Sequence, residues 1–162
     1  SVVVKAKEDR NSCARELIAH AIYRSVRELL FYQSVDNFLL VPIPSSPQAI
    51  RRRGESFMHP ILNHVLKLAR SNGADWYWQE LLRHGKKVRD QAGLSSQQRS
   101  ENLEGVFQLK TLISVDLPII LVDDVVTTGS TLRNAILPLN ERKMTVLGAV
   151  TACASPHQLL IR

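Results

Sequence analysis

Two adjacent carboxylates, Asp123 and Asp124, are followed within seven residues by four hydroxyl side chains and a glycine, in the string IILVDDVVTTGST at 119–131. Carboxylates cannot favour a phosphate. They can accept hydrogen bonds from sugar hydroxyls, or face positive charge that develops during a reaction. The hydroxyls of Thr127, Thr128, Ser130 and Thr131 can donate to phosphate oxygens, and Gly129 lets the backbone approach closely. A helix opening after Gly129 would add free N–H groups and its positive dipole end. Together these residue types suit a sugar phosphate. A lone Thr-Gly-Ser would more simply be a helix cap; the full thirteen-residue string is harder to explain that way. No Gly-Lys-Ser/Thr loop and no spaced-glycine dinucleotide turn occurs.

A second group is basic. Arg51, Arg52 and Arg53 stand together before Gly54, and guanidinium forks match phosphate oxygens in a bidentate way. A solvated helix start or a nucleic-acid patch are the other readings of that run. Lys86, Lys87, Arg89 and Arg99 lie in a polar stretch with Gly85 and Gly93 at its start and middle. Trp76, Tyr77 and Trp78 just before it could stack on a base, although packing is the simpler reading and the 6% aromatic content argues against an extended platform. The five histidines, His20, His59, His64, His84 and His157, show no metal-ligand spacing and read as surface or core residues.

These groups need elements to hold them. The apolar residues Cys13, Leu17, Ile18, Ile22, Val26, Leu29 and Leu30 recur at helical steps, predicting a packing helix between Asp9 and Phe31. Phe38–Ile43 reads as a strand buried on both faces that runs into a rigid proline loop at Pro44 and Pro47. A helix follows over Phe57–Ala69, stopped by Ser71-Asn72-Gly73. Trp76–Leu82 leans towards a strand. Lys86–Leu94 reads as a mobile loop, Ser95–Leu103 as a short helix and Val106–Leu109 as a short strand. Pro118–Asp123 is a second buried strand, and the helix carrying Leu132, Ala135, Ile136 and Leu139 should kink near Pro138. Met144–Ala152 reads as a third buried strand. Apolar strands alternating with amphipathic helices define an α/β domain with a mainly parallel sheet, and ligands of such sheets bind beyond the carboxyl ends of the strands.

At 162 residues, 44% hydrophobic and 22% charged, residues 1–162 read as one globular domain. The net charge of +6 sits in the middle third: residues 51–99 carry ten basic and four acidic side chains, while the flanking stretches nearly cancel. No apolar run approaches the ~18 residues of a membrane span, and no signal segment precedes the first helix. The expected location is the cytoplasm. A start at Ser1 without Met points to a trimmed chain. Cys13 and Cys153 are too few and too far apart for a disulfide scaffold or a classical zinc site.

The 119–131 string resembles the phosphoribosyl pyrophosphate (PRPP) motif of type I phosphoribosyltransferases: apolar residues, an acidic pair, two apolar residues, then Thr-Thr-Gly-Ser-Thr. Gln91-x-x-Leu94-x4-Arg99-x-x-Asn102 with Val106-Phe107 after it, and Val41-Pro42-Ile43-Pro44 leading to Arg53-Gly54, are similar to the ComF branch of competence-associated phosphoribosyltransferase-like proteins. The likeness covers residues 38–152. It implies the type I phosphoribosyltransferase fold, a mainly parallel central sheet flanked by helices with a small hood region.

The same resemblance implies that Val125, Val126 and Thr127–Thr131 hold PRPP through its 5′-phosphate, and that Asp123 and Asp124 contact the ribose and act in catalysis with Arg99. Ser45, Ser46, Arg51, Arg52 and Arg53 would hold the pyrophosphate, and Lys87, Arg89 and Gln91 would lie on a flexible loop that closes over the site. Magnesium is the expected partner of PRPP, and no protein side chain is assigned as its ligand. The four-cysteine zinc module of many relatives has no counterpart, so zinc is not expected. Where relatives often read Arg-Gly-Phe-Asn-Gln, this chain has Arg53-Gly54-Glu55-Ser56-Phe57, which sets a negative charge beside the pyrophosphate loop and tells against catalysis. Two functions of different class follow from the resemblance, and a third from the charge. One is a phosphoribosyltransferase acting on an unidentified acceptor. The other is a non-catalytic accessory protein of DNA uptake that binds PRPP or a nucleoside monophosphate and contacts single-stranded DNA or a DNA-uptake protein; a plain nucleic-acid module using the basic middle third is a third.

Overall fold

A computed structural model describes residues 12–85, 106–110 and 115–154. Its elements are α1 (Ser12–Gln33), β1 (Leu39–Pro42), α2 (Pro47–Arg53), α3 (Met58–Ser71), β2 (Leu82–His84), β3 (Phe107–Leu109), β4 (Ile119–Val126), α4 (Ser130–Glu141) and β5 (Val146–Ala154). β1, β4 and β5 form a parallel sheet in the order β1-β4-β5, and β2 and β3 form an antiparallel pair. The α/β class and the parallel sheet are as the sequence predicts.

The apolar runs of β1 and β4 are buried on both faces because each face has its own cover. Phe38, Leu40, Ile120 and Val122 join the core made by α1 and α3, whose buried stripes include Ile18, Ile22, Val26, Ile61, Leu62 and Val65. Leu39, Val41, Ile119 and Leu121 face the opposite way, towards Ala135 and Leu139 of α4 and Leu82 and Phe107 of the β2–β3 pair. Strand alternation thus splits the core into two layers around one sheet.

Three expectations change. Among the described residues β5 is an edge strand rather than a third strand buried on both faces: Val150 is buried, but Ala149 and Cys153 are exposed. The Pro44–Arg53 region is not all loop. Ser46 accepts from Ala49 N–H at 3.2 Å, Pro47 opens the helix, and Gly54 ends it at φ 79° with its N–H on the Ile50 carbonyl. All three signals stand in the sequence as Ser-Pro and a following Gly. Finally, the strand leaning of Trp76–Leu82 divides in two. Trp78 pairs with Leu40 as an isolated parallel bridge, with Leu40 N–H on Tyr77 C=O and Gln79 N–H on Leu40 C=O, both at 3.0 Å, which shields the outer edge of β1; the strand proper begins at Leu82.

The other boundaries move by a few residues. Asn72 and Gly73, the latter at φ 76°, end α3 as expected. α4 runs through Pro138 to Glu141. The loop expected at Lys86–Leu94 and the helix expected at Ser95–Leu103 lie outside the described residues. No helix among the described residues is long and apolar enough to cross a membrane.

Candidate active site

β1 and β4 stay paired up to Pro42 and Val122, with Ile43 N–H still donating to the Val122 carbonyl at 2.9 Å. Beyond that point they part. β1 turns into Pro44-Ser45-Ser46 and α2, whereas β4 continues as Asp123–Val126 paired with β5 alone. This divergence at the carboxyl end of the sheet marks the crevice position at which parallel α/β sheets bind their ligands. The two walls of that crevice are the loop after β1 and the β4–α4 connection.

On the β4 wall the expected turn begins later than the sequence reading placed it. Asp123, Asp124, Val125 and Val126 are still strand, with Asp123 opposite Thr151 and Val125 opposite Cys153. The two carboxylates differ in exposure: Asp124 is only 8% exposed and Asp123 is half-buried. Asp123 Oδ1 accepts from the Asp124 N–H at 2.8 Å, which holds the first carboxylate close to the strand. Val125 and Val126 serve as pairing residues that carry the strand out to the turn.

Thr127 and Thr128 are exposed, and Gly129 turns the chain at φ 73° to start α4. That left-handed conformation is open to glycine at little cost and strained for other residues. Thr128 Oγ1 lies 2.9 Å from Ser130 Oγ and accepts from the Ser130 N–H at 3.4 Å. The hydroxyls of Thr127, Thr128, Ser130 and Thr131 are thus grouped at the open amino end of a twelve-residue helix, a setting in which backbone donors and the helix dipole favour a phosphate.

The β1 wall is built differently. Ser45 Oγ accepts from the Phe57 N–H at 3.4 Å, which ties the loop to the start of α3. Ser46 is spent in part on capping α2. Arg51, Arg52 and Arg53 occupy the last turn of that helix, and at ~100° per residue three successive side chains fan out instead of converging. Arg51 and Arg52 are exposed, while the Arg53 guanidinium lies over the Phe57 ring, 5.6 Å from its centre. Cations at a helix C-terminus also complement the dipole, so part of this cluster is accounted for by α2 itself.

Glu55 turns out to be compensated. Arg15 of α1 donates to Glu55 Oε1 at 2.9 Å, so the negative charge expected to oppose pyrophosphate is already paired. Sequence reading missed Arg15 because its partner lies forty residues away. It also set aside two histidines. His84, at the end of β2, hydrogen-bonds the Pro44 carbonyl through Nε2 at 3.1 Å and packs against the Phe107 ring. His59 of α3 lies 2.5 Å from Glu80, whose other carboxylate oxygen takes Lys110. Burial pushes the Glu80 carboxyl up, but the hydrogen bonds and charges of Lys110 and His59 outweigh it and hold it below the usual glutamate range.

Trp76 and Trp78 pack, as the simpler reading had it, whereas Tyr77 does not. Trp76 is buried against Tyr23 and Phe38, Trp78 donates to Asn63 Oδ1 at 3.0 Å, and Tyr77 is exposed with its hydroxyl on Asp75. Cys13 and Cys153 are both free thiols at the surface. Arg99, Lys87, Arg89 and Gln91 lie outside the described residues.

A parallel sheet whose central strand delivers an acidic pair into a hydroxyl-rich turn and a helix start defines a class of protein fold seen in phosphoribosyltransferases. Comparison with known proteins supports that class. A family model described as phosphoribosyl transferase domain matches residues 49–160. Among solved structures, a Trypanosoma cruzi hypoxanthine phosphoribosyl transferase aligns with a TM-score of 0.52 and 13% identity over 88% of this chain and 67% of that one. A structure described as an asparagine mutant of HPRTs aligns with a TM-score of 0.53 and 13% identity over 88% and 77%. An adenine phosphoribosyltransferase from Saccharomyces cerevisiae, complexed with an imino-altritol bisphosphate and adenine, covers 91% of this chain and 72% of its own at 14% identity and a TM-score of 0.49. The search of curated proteins returns no match. This chain belongs to the phosphoribosyl transferase domain family, and its fold is that of the type I phosphoribosyltransferases.

Proposed function

We propose that this chain binds PRPP in the crevice between β1 and β4 and transfers its phosphoribosyl group to an acceptor, with release of pyrophosphate. The observation that carries this reading is the continuous path from the central strand β4 through Asp123-Asp124 and the Thr127–Thr131 hydroxyls to the start of α4. In the reaction the bond from the sugar's anomeric carbon to the pyrophosphate oxygen breaks, and its electron pair leaves with pyrophosphate. A lone pair of the acceptor then forms the new bond to that carbon. No protein nucleophile is required. The chain's contribution is positioning and electrostatics: Thr127–Thr131 hold the 5′-phosphate, Asp123 and Asp124 face the ribose as positive charge grows on it, and the Ser45-Ser46 loop, the Arg51–Arg53 group and Arg99 meet the charge on the leaving group.

Among the described residues no group of three or more His, Cys, Asp or Glu is placed to hold a metal ion. The oxygen donors of Asp123 and Asp124 are nevertheless of the kind magnesium takes, with phosphate oxygens and water completing its shell. Bound in that way with PRPP, magnesium would neutralise pyrophosphate charge.

We also assign the chain to the ComF branch, on the strings at 41–54 and 91–107, with a cytoplasmic location. The non-catalytic accessory reading drew on the ComF resemblance and the short N-terminal segment as well as on Glu55; the Arg15–Glu55 pair weakens only the Glu55 part. A thermal-shift screen of PRPP with magnesium, nucleoside monophosphates, free bases and single-stranded DNA tests the proposal, since a ligand bound only by the folded state raises the melting temperature. PRPP should stabilise the protein, and Asp123→Asn with Asp124→Asn should lower turnover by roughly 100-fold or more with any acceptor the screen finds. Stabilisation by DNA alone, with no effect of PRPP at millimolar levels, would overturn the assignment.

A further inference from the structure

We infer that His84 is a positioning residue for the pyrophosphate half of the site, acting through the Pro44–Ser45 peptide; the inference rests on the PRPP reading above. His84 Nε2 is 3.1 Å from the Pro44 carbonyl. A carbonyl only accepts, so Nε2 carries the proton and donates. Either ring protonation state with a proton at Nε2 makes this bond.

The consequence lies on the other side of the peptide. The described chain contains no cis peptide bond, and in a trans peptide plane the C=O and the following N–H point in opposite directions. Drawing the Pro44 carbonyl towards the β2–β3 pair therefore turns the Ser45 N–H away from it. That N–H has no hydrogen-bond partner among the described residues. Ser45 Oγ already accepts from the Phe57 N–H, which leaves its own hydroxyl proton to donate. The two contacts, one from His84 and one from Phe57, grip the loop at successive residues and keep both Ser45 donors available for an anion. Without His84 the peptide could rotate and present a carbonyl dipole, repelling that anion.

The imidazole is itself held. Its ring lies 5.0 Å from the Phe107 ring at 46°, and the hairpin base beside it is closed by Gly85 N–H on the Val106 carbonyl at 2.9 Å. His84 therefore links the β2–β3 pair to the loop after β1, two elements that are forty residues apart in sequence.

The test compares PRPP with ribose 5-phosphate, each with magnesium, by calorimetric titration of the wild-type chain and of His84→Phe, His84→Leu and His84→Gln. Phe and Leu keep apolar contact with Phe107 but cannot donate, while Gln offers an amide N–H at similar reach. The expected result is PRPP binding about tenfold weaker in the Phe and Leu variants, the size of one lost hydrogen bond to a charged ligand site. Ribose 5-phosphate should bind unchanged, and Gln should recover most of the PRPP affinity. Equal weakening of both ligands, no weakening of either, or failure of Gln to recover affinity would overturn the role of His84 and leave the PRPP site standing. If the wild-type chain binds neither ligand, the site reading itself falls and takes this inference with it. Melting temperatures of the free variants identify any that fail to fold, and either apolar variant alone suffices for the comparison.

Discussion

The two walls of the crevice are built on different principles. The β4–α4 wall is local: one uninterrupted segment from Ile119 to Thr131 provides strand, acidic pair, hydroxyls and helix start, and its internal bonds, such as Thr128 to Ser130, span two residues. The β1 wall is assembled at a distance. Its loop is held by Phe57, His84 and, through Glu55, by Arg15 of the first helix. A local wall keeps its shape as long as the backbone does, whereas a tethered one depends on side chains contributed by other elements. Substitutions should therefore act on the first through backbone conformation and direct chemistry, and on the second through remote partners.

The largest effect is expected where chemistry is direct. Asp123→Asn with Asp124→Asn should lower turnover by roughly 100-fold or more, the scale seen when a group that stabilises transition-state charge is removed, while the circular dichroism spectrum keeps its α/β form. Retention of full activity would remove the acidic pair from the site. Next comes Gly129→Ala. At φ 73° a side chain costs about 1–2 kcal/mol, and the strain displaces the first N–H groups of α4, so ribose 5-phosphate affinity should fall about tenfold with a measurable drop in melting temperature. An unchanged affinity would mean that the helix start is not a phosphate site.

What could be read from the sequence follows the same division. The order of strand, acidic pair, hydroxyls and helix along the β4–α4 wall was legible because it lies in consecutive residues, although the strand runs on through Val125 and Val126, and the buried runs of β1 and β4 could be recognised from their lack of alternation. β5 misled for the opposite reason: Val146–Ala154 has a core-like composition, yet edge position is a property of strand order, which no local run encodes. α2 was legible but overlooked, since Ser46-Pro47 and Gly54 are its start and stop. The Arg15–Glu55 and His84–Pro44 contacts each join residues forty apart. Spacing rules do not reach that far, so Glu55 looked like an obstacle and His84 like a bystander.

Smaller effects sharpen the picture of the tethered wall. Removing Arg15 leaves Glu55 beside the loop without its partner; Arg15 is 18% exposed and Glu55 42%, so the loss in stability from Arg15→Met should be about 1 kcal/mol, discounted for solvent screening. PRPP affinity should fall as well, and Arg15→Met with Glu55→Gln should restore it. Failure of the double variant to recover would show that the pair is incidental to the loop.

The smallest effect concerns Glu80. Its folded-state carboxyl lies below the ordinary range, so its pairing with Lys110 and His59 adds stability that is present above the unfolded value and lost as pH falls through the folded one. Because Glu80 is 29% exposed, the contribution should stay below about 1 kcal/mol. Chemical denaturation at descending acid pH should show a shallower decline for Glu80→Gln than for the wild-type chain.

The central claim is that the crevice between β1 and β4 binds PRPP, and calorimetric titration of the wild-type chain with PRPP and magnesium over a series of salt concentrations tests it most directly. A saturable one-to-one isotherm with a shallow salt dependence, lost in the Asp123→Asn, Asp124→Asn variant, is the predicted result. Absence of binding at millimolar PRPP, with single-stranded DNA instead binding with an affinity that falls steeply as salt rises, would contradict it.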